Sequence, residues 1–501
     1  MLPLDTRSLL QALALGIVAA LLHARIRRYL EVRTFRRVNS CQPPIRAPQP
    51  ERILGLAAYK KLRRNRSERI SLSETLRRAL EIGRTNTAVV IGQEIVSTCD
   101  PENIKTVLAT NFSHYGVGPR IQAMGPLLGK GIFTLDDVPW QHSRALIRPA
   151  FTHSQVADLS SLETHVQALI SCLPTRDGTT VDLQPLFFNL TIDSASDFLF
   201  GQSMCCQGSA SDSPPRRFSE AFDYAEAVLD QRGELGTLAW LVQDSKFEEA
   251  CRIVHHVTDS YISEALKGGT KPGRYNLLAE LAQVCHDPVR LREELLNVLI
   301  AARDTTAGLL SSIFHLLAHN LRSWDRLSRE VRRLGGQVPD YRTLKDMRYL
   351  KGVLSETLRL LPPVPVNMRF ARTDTVLPHG GGPDGLSPIH VAKGSRVFYS
   401  IWAMHRLPEI WGDDAESFRP ERWLDEEVSL RPGWGYLPFN GGPRVCLGQQ
   451  HAQIEASYIV VRLLQTFERI EPRDSRPWQE KLAVTLSSLH GTKVALWKWG
   501  D

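Results

Sequence analysis

The 501-residue chain has no Cys-x-x-Cys pair, no internal repeat and no long low-complexity segment. Each absence closes a class of function. The eight cysteines, Cys41, Cys99, Cys172, Cys205, Cys206, Cys251, Cys285 and Cys446, are scattered. Scattered cysteines argue against a zinc site and against a disulfide framework, and make the reducing cytosol the natural compartment. Without repeats the chain is not a solenoid or a propeller. No Arg/Lys run is interleaved with aromatics, so nucleic acid is not an expected partner. Charge of one sign is also scarce. The 61 Lys+Arg and 54 Asp+Glu leave +7, a modest basic excess suited to a membrane or an acidic protein surface. With 43% hydrophobic and 23% charged residues, the composition is that of a globular protein and leaves little room for long disorder.

Long apolar runs are rare, and one stands at the N-terminus. Residues 8–24 carry Gln11 and His23 as their only strongly polar side chains. About 17 residues is the short end of what crosses a bilayer as a helix. Arg25, Arg27, Arg28, Arg33, Arg36 and Arg37 follow, and positive charge after a span holds that side in the cytosol. The charge follows the run instead of preceding it, unlike a cleaved signal peptide. The expectation is a single transmembrane anchor over residues 1–28, a basic, proline-rich linker over 29–50, and a cytosolic body over 51–501. On that face the sequons at Asn65, Asn111 and Asn189 would go unused.

Within the body, helical periodicity covers residues 101–110, 140–148, 154–172, 216–242, 247–268, 290–319, 322–334, 349–360 and 448–467. Strand patterns appear near 87–96 and 391–400. A Ser/Gly/Pro stretch at 208–215 and a Gly-rich one at 379–388 read as loops. The expected class is mostly α with a minor β-sheet region.

Four local patterns carry chemistry. The first is Phe439-Asn-Gly-Gly-Pro-Arg-Val-Cys-Leu-Gly448, where Cys446 sits at the mouth of a helix. Helix N-termini favour a thiolate, which is a nucleophile or a metal ligand. Taken in isolation, Cys446 reads more readily as a buried thiol in a loop that happens to be Gly-rich. Arg444 adds a fixed cation, and Gly442 and Gly448 suggest a backbone that turns tightly against something. The second is Ala301-Ala302-Arg303-Asp304-Thr305-Thr306, within an apolar helix. Asp and Thr are poor there, and a broken local rule in a core helix marks function, a kink or an ion pair. The third is Glu356-x-x-Arg359, followed by Arg422 in Phe418-Arg-Pro-Glu-Arg-Trp423. Spacing i, i+3 lets Glu356 and Arg359 pair on one helix face. The fourth is Trp140-x-x-x-Arg144, again on one face and able to hydrogen-bond a carboxylate.

Taken together and in this order, the patterns resemble the cytochrome P450 family over nearly the whole chain. The resemblance implies a P450 fold carrying haem b, with Cys446 as the iron's axial ligand and Phe439, Gly442 and Gly448 shaping its loop. It implies that Arg444, Trp140 and Arg144 hold the haem propionates, with Arg369 and His405-Arg406 as weaker candidates. It implies that Thr305 hydrogen-bonds the dioxygen being activated and that Asp304 relays protons. Glu356, Arg359 and Arg422 would form a structural lock. Ala302 departs from the family's usual Gly. The implied reaction is a monooxygenation of a small lipophilic substrate. O2 is the oxidant, and NADPH electrons arrive through a membrane-bound NADPH–cytochrome P450 reductase, with cytochrome b5 as a further donor, at the endoplasmic reticulum membrane. The motifs look most like the fungal alkane and fatty-acid hydroxylase branch. The loose match outside them favours a tailoring step in secondary metabolism, with terminal hydroxylation of alkanes or fatty acids as the alternative. Asp304 and Thr305 argue against a haem-thiolate isomerase or dehydratase and against a non-catalytic haem carrier.

Overall fold

The computed structural model describes residues 6–51, 53–152, 157–210, 212–267, 275–424 and 432–500. Six helices frame the site, and α1 (Thr6–Val38) stands ahead of them: α2 (Asp137–Ile147), α3 (Leu183–Phe200), α4 (Pro214–Leu235), α5 (Pro288–His319), α6 (Arg348–Leu360) and α7 (Gln449–Thr466). The axis of the molecule is α5. It begins where Asp287 caps the N–H of Val289 and Pro288 occupies the first turn, where a missing N–H costs nothing. Buried residues lie on all its faces, the pattern of a helix enclosed by others. Its N-terminal half packs Leu295 and Leu299 among Phe218 and Phe222 of α4 and Val254. Its C-terminal half packs Leu310 and Ile313 among Leu350 and Val353 of α6 and Ile459 of α7. Residues 301–306 lie between the two cores.

A five-stranded sheet stands beside this bundle. Its strands are β1 (Thr85–Val90), β2 (Gln93–Thr98), β3 (Tyr115–Gly116), β4 (Val366–Ala371) and β5 (Arg396–Ser400), in spatial order β1-β2-β5-β4-β3. The β2–β5 pair is parallel and the others are antiparallel. Sequence periodicity found this region but missed its turns. Residues 87–96 form a hairpin, because Ile91 and Gly92 both adopt positive φ, +50° and +69°, as a tight two-residue turn requires. The run at 391–400 is likewise broken by Gly394 at φ +88°. The helix expected over 216–242 ends at Leu235, and a 3-10 turn, Gly236–Leu241, follows. The start of the helix expected over 154–172 falls at residues 154–156, outside the described residues; the observed helix is Ser160–Cys172.

The N-terminus needs a correction. Among the described residues no helix is long and apolar enough to cross a membrane. The transmembrane span expected over residues 1–28 is therefore not found there, and residues 1–5 lie outside the described residues. The reason is the shortness of the apolar run within one continuous 33-residue helix, α1, which carries Gln11, His23 and the arginines on the same rod. Leu13, Leu15, Ile17, Val18, Leu21 and Leu22 are all exposed. The lower half of α1 is tied to the body. Arg28 grips Asp374 with both guanidinium nitrogens, Nη2 at 2.6 Å from Oδ1. Phe35 meets His390 edge-on at 5.3 Å.

The buried charge network at α6 fixes the path to the cysteine loop. Glu356 is fully buried and accepts from Arg359 Nε and Nη2 (2.9 and 2.8 Å), the Trp423 indole (2.9 Å), the Arg419 backbone N–H (3.0 Å) and Arg422 Nε (3.3 Å). Arg359 Nη1 donates onward to the carbonyls of His405 and Ala415 at 2.9 and 2.6 Å. His405 donates from Nδ1 to the Arg359 carbonyl (3.0 Å) and accepts at Nε2 from the Leu437 N–H (2.9 Å), two residues before Phe439. Burial pulls His405 down to about 3, so the ring is neutral in that bridge. Removing one member leaves buried charge unmatched. Glu356→Ala is expected to cost about 3–5 kcal/mol, and urea unfolding of the purified protein measures it.

Candidate active site

The loop 439–448 is closed by two backbone hydrogen bonds, from Cys446 N–H to the Phe439 carbonyl and from Val445 N–H to the Gly442 carbonyl, both 3.0 Å. Gly442 is required on two counts. Its φ is +68°, and a Cβ would stand 1.9 Å from the Leu108 carbonyl oxygen. Phe439 packs at the edge of the larger core. Gly448 immediately precedes α7, and its N–H lies near the Cys446 sulfur. Cys446 is a free, solvent-accessible thiol ringed by chain. That crowding pushes the thiol up, while the Gly448 N–H and Arg144 pull the other way.

Around the thiol lies an excess of positive charge. Trp140 and Arg144 both come from α2, whose i, i+4 spacing sets the Arg144 guanidinium 5.9 Å from the indole centroid. Arg444 lies over the same ring at 4.2 Å. Arg444 donates to Asp136 (2.7 Å) and to the carbonyl of Leu135 (2.9 Å). Burial draws Arg444 down to about 10, and Arg369, Arg120 and Arg372 push in the same direction. Arg120, enclosed and facing Arg369, is also drawn down to about 10. Arg120 Nη2 and Arg369 Nη1 share the Asn367 side-chain oxygen, at 3.0 and 3.2 Å. Cations crowded until each suppresses its neighbour's charge suit an anionic group among them. A flat macrocycle with two carboxylates and a metal that accepts sulfur fits this donor set. Cys446 would hold the iron, and Arg144, Arg444, Arg120 and Arg369 would hold the carboxylates.

The sequence had not pointed to Arg120, Asp136 or Arg372. A signal was available for the first: Gly118-Pro-Arg120 repeats the tripeptide Gly442-Pro-Arg444. His405 and Arg406 are engaged elsewhere, His405 in the lock and Arg406 with Glu416 at 3.0 Å and the Leu360 carbonyl at 2.7 Å.

A cavity of about 500 Å³ opens between α5 and the sheet. Its walls include Ile300, Ala301 and Thr305 of α5, Phe370 and Phe398 of the sheet, and Val484. Thr305 donates its hydroxyl back to the Ala301 carbonyl at 2.7 Å, which leaves an oxygen lone pair on the cavity side. Asp304 is not among the lining residues. It is 2% exposed and faces Arg303, whose Nη1 lies 3.0 Å from Oδ1. The structure therefore sets Thr305 in the cavity wall and Asp304 behind it.

The cytochrome P450 family model matches residues 60–493. The chain is a cytochrome P450. It is 43% identical over 91% of its length to cytochrome P450 monooxygenase himC of Aspergillus japonicus, covering 84% of that protein. It is 40% identical over 98% of its length to cytochrome P450 monooxygenase fsdH of Fusarium heterosporum, covering 89% of that protein. It is 45% identical over 80% of its length to cytochrome P450 52A10 of Candida maltosa, covering 82% of that protein. The crystal structure of the cytochrome P450DA heme domain shares the fold, with a TM-score of 0.78 at 22% identity over 92% of this chain and 99% of that one.

This P450 is a monooxygenase. Haem on a cysteine thiolate supplies the activation of O2, with NADPH-derived electrons delivered through a reductase. The chain's own part is a largely apolar cavity beside Thr305, able to bind a substrate and to exclude water. Cys446→Ser is expected to abolish the strongly red-shifted Soret band of the reduced, carbon monoxide-treated protein while leaving the helical circular dichroism unchanged.

Proposed function

We propose that this P450 oxidises a lipophilic small molecule as a tailoring step in fungal secondary metabolism. The observation that carries the reading is the apolar cavity beside Thr305, large enough for a ligand of drug size. Its nearly full-length similarity to the Aspergillus and Fusarium monooxygenases supports it, against the shorter match to the Candida protein. In this reading Cys446 ligates the iron, Thr305 orients the oxygen being activated, and Asp304 acts behind it on proton delivery. The exposed leucines of α1 and the arginines after them suit the surface of an anionic membrane such as the endoplasmic reticulum, with the catalytic body on the cytosolic side. A membrane-bound NADPH–cytochrome P450 reductase, with cytochrome b5 as a further donor, would supply electrons there. The substrate is identified by the precursor that accumulates in the producing strain when this protein is removed. Thr305→Ala is expected to keep the carbon monoxide band and to lower product formed per NADPH consumed. Full coupling in that variant would remove Thr305 from the mechanism.

One observation favours a second reading, terminal hydroxylation of long-chain acids. Arg63, Arg66 and Arg84 in the cavity wall pair with Glu234, Asp230 and Glu409. Arg396 lies in the same wall, and among the described residues no carboxylate meets it. Its Nε is buried without a partner, its guanidinium stands 5.7 Å from the Phe370 ring, and burial alone lowers it. Arg396→Leu is expected to weaken dodecanoic acid about tenfold or more, or ~1.4 kcal/mol, with methyl dodecanoate unaffected. Spectral titration of the haem protein measures both, and equal losses for acid and ester would remove this reading.

A further inference from the structure

Behind the cavity wall, three carboxylates gather around one guanidinium. Arg303 is 1% exposed, with Phe188 of α3 and Phe222 of α4 at 5.1 and 5.5 Å from its guanidinium carbon. Its Nη1 meets Asp304 at 3.0 Å and Asp223 of α4 at 2.5 Å, and its Nη2 donates to Ser219 at 3.3 Å. One turn along α4 from Asp223, Glu226 lies within hydrogen-bonding reach of the Asp304 carboxyl. Glu226 is 7% exposed, and its Oε1 has no donor. Asp223 differs in one respect, since its side chain is 55% exposed.

The charges do not balance. One buried cation faces two buried carboxylates and must also serve a third at the surface. Asp193 of α3, on the neighbouring wall, does not help; it is a further acid, already bound by the N–H groups of Cys206 and Gln207 at 2.6 and 3.0 Å. Two carboxylates in contact away from water cannot both ionise, as in any close acid pair. A proton between them turns a repulsion into an O–H···O⁻ hydrogen bond. Burial, then the Asp304 charge, raise Glu226 well above the ordinary carboxyl range, and Arg303 opposes them without cancelling them.

We infer that Glu226 and Asp304 hold one proton between them, and that Glu226 is a positioning residue that recharges Asp304 as protons are consumed in the cavity. The transfer balances simply. The shared proton moves from the Glu226 carboxyl onto Asp304, which leaves Glu226 a carboxylate. Asp304 then gives that same proton toward the Thr305 side. The Glu226 carboxylate is refilled from bulk water by way of Asp223, whose exposed carboxyl shares Arg303 with Asp304. No electron moves in any of these steps. The inference rests on the monooxygenase reading for its purpose, but not for the shared proton itself.

The test uses full-length haem protein labelled with 13C-glutamate, read by infrared difference spectroscopy between pH 6 and pH 8. A carboxylic-acid C=O band that persists across this range is expected in the parent. It should vanish in Glu226→Gln and remain in Glu294→Gln, which removes the buried glutamate of α5. Glu226→Gln should keep the carbon monoxide band and yield severalfold less product per NADPH, with hydrogen peroxide making up the difference. Retention of the infrared band or of full coupling in Glu226→Gln overturns the inference. If Glu226→Gln does not fold, labelled Glu294→Gln decides: a remaining protonated-glutamate band supports the shared proton, and its absence refutes it. A protein without the red-shifted carbon monoxide band would defeat the thiolate reading instead, and the infrared result would still stand on its own.

Discussion

Everything on the cysteine side hangs from the carboxylate of Glu356. It sits in the core with five donors aimed at it, drawn from α6 itself and from the stretch 419–423 that leads toward the loop. Arg359 carries the restraint to the carbonyls of 405 and 415, and the neutral His405 hands it to Leu437. Such a network is costly to assemble and adds little stability over an apolar core of the same shape. Its value here is positional. A thiol meant to meet a metal must be placed within tenths of an ångström, and a loop with three glycines in ten residues cannot do that from its own stiffness.

Two charge imbalances then divide the labour of the site. Near Cys446 the excess is positive, with Arg120, Arg369 and Arg444 crowded together around too few acids. Behind Thr305 the excess is negative, with Arg303 serving Asp304 and Asp223 beside Glu226. A buried imbalance of either sign is costly unless something offsets it; an anionic cofactor would do so in the first case, and the proposed proton would do so in the second. Between them lies a cavity whose wall is mostly uncharged.

Much of this was legible in the chain, and the parts that were not share a cause. Helix α5 could be read within two residues of its start because its apolar pattern spans many turns. Spacing places Glu356 and Arg359 on one helix face, but only the resemblance to the P450 family tied them, with Arg422, into a buried lock. The strands could not be read as separate, since the turns at Ile91 and Gly394 depend on φ angles that periodicity does not encode. Nor could the partners of Asp304. Glu226 sits 78 residues earlier on an ordinary amphipathic helix, and only the packing of α4 on α5 brings them together. Sequence spacing reports neighbours along one element and is silent on neighbours across two.

The clip between Arg28 and Asp374 has a mechanical meaning. From Thr6 to Arg28 the helix rises ~33 Å, and the clip fastens it near the far end of that length. The exposed apolar residues therefore ride on a lever whose fulcrum is the hairpin Thr375–Gly381/Ser387–Val391. Whatever surface the lever rests on sets the tilt of the whole body, as a keel sets the attitude of a hull.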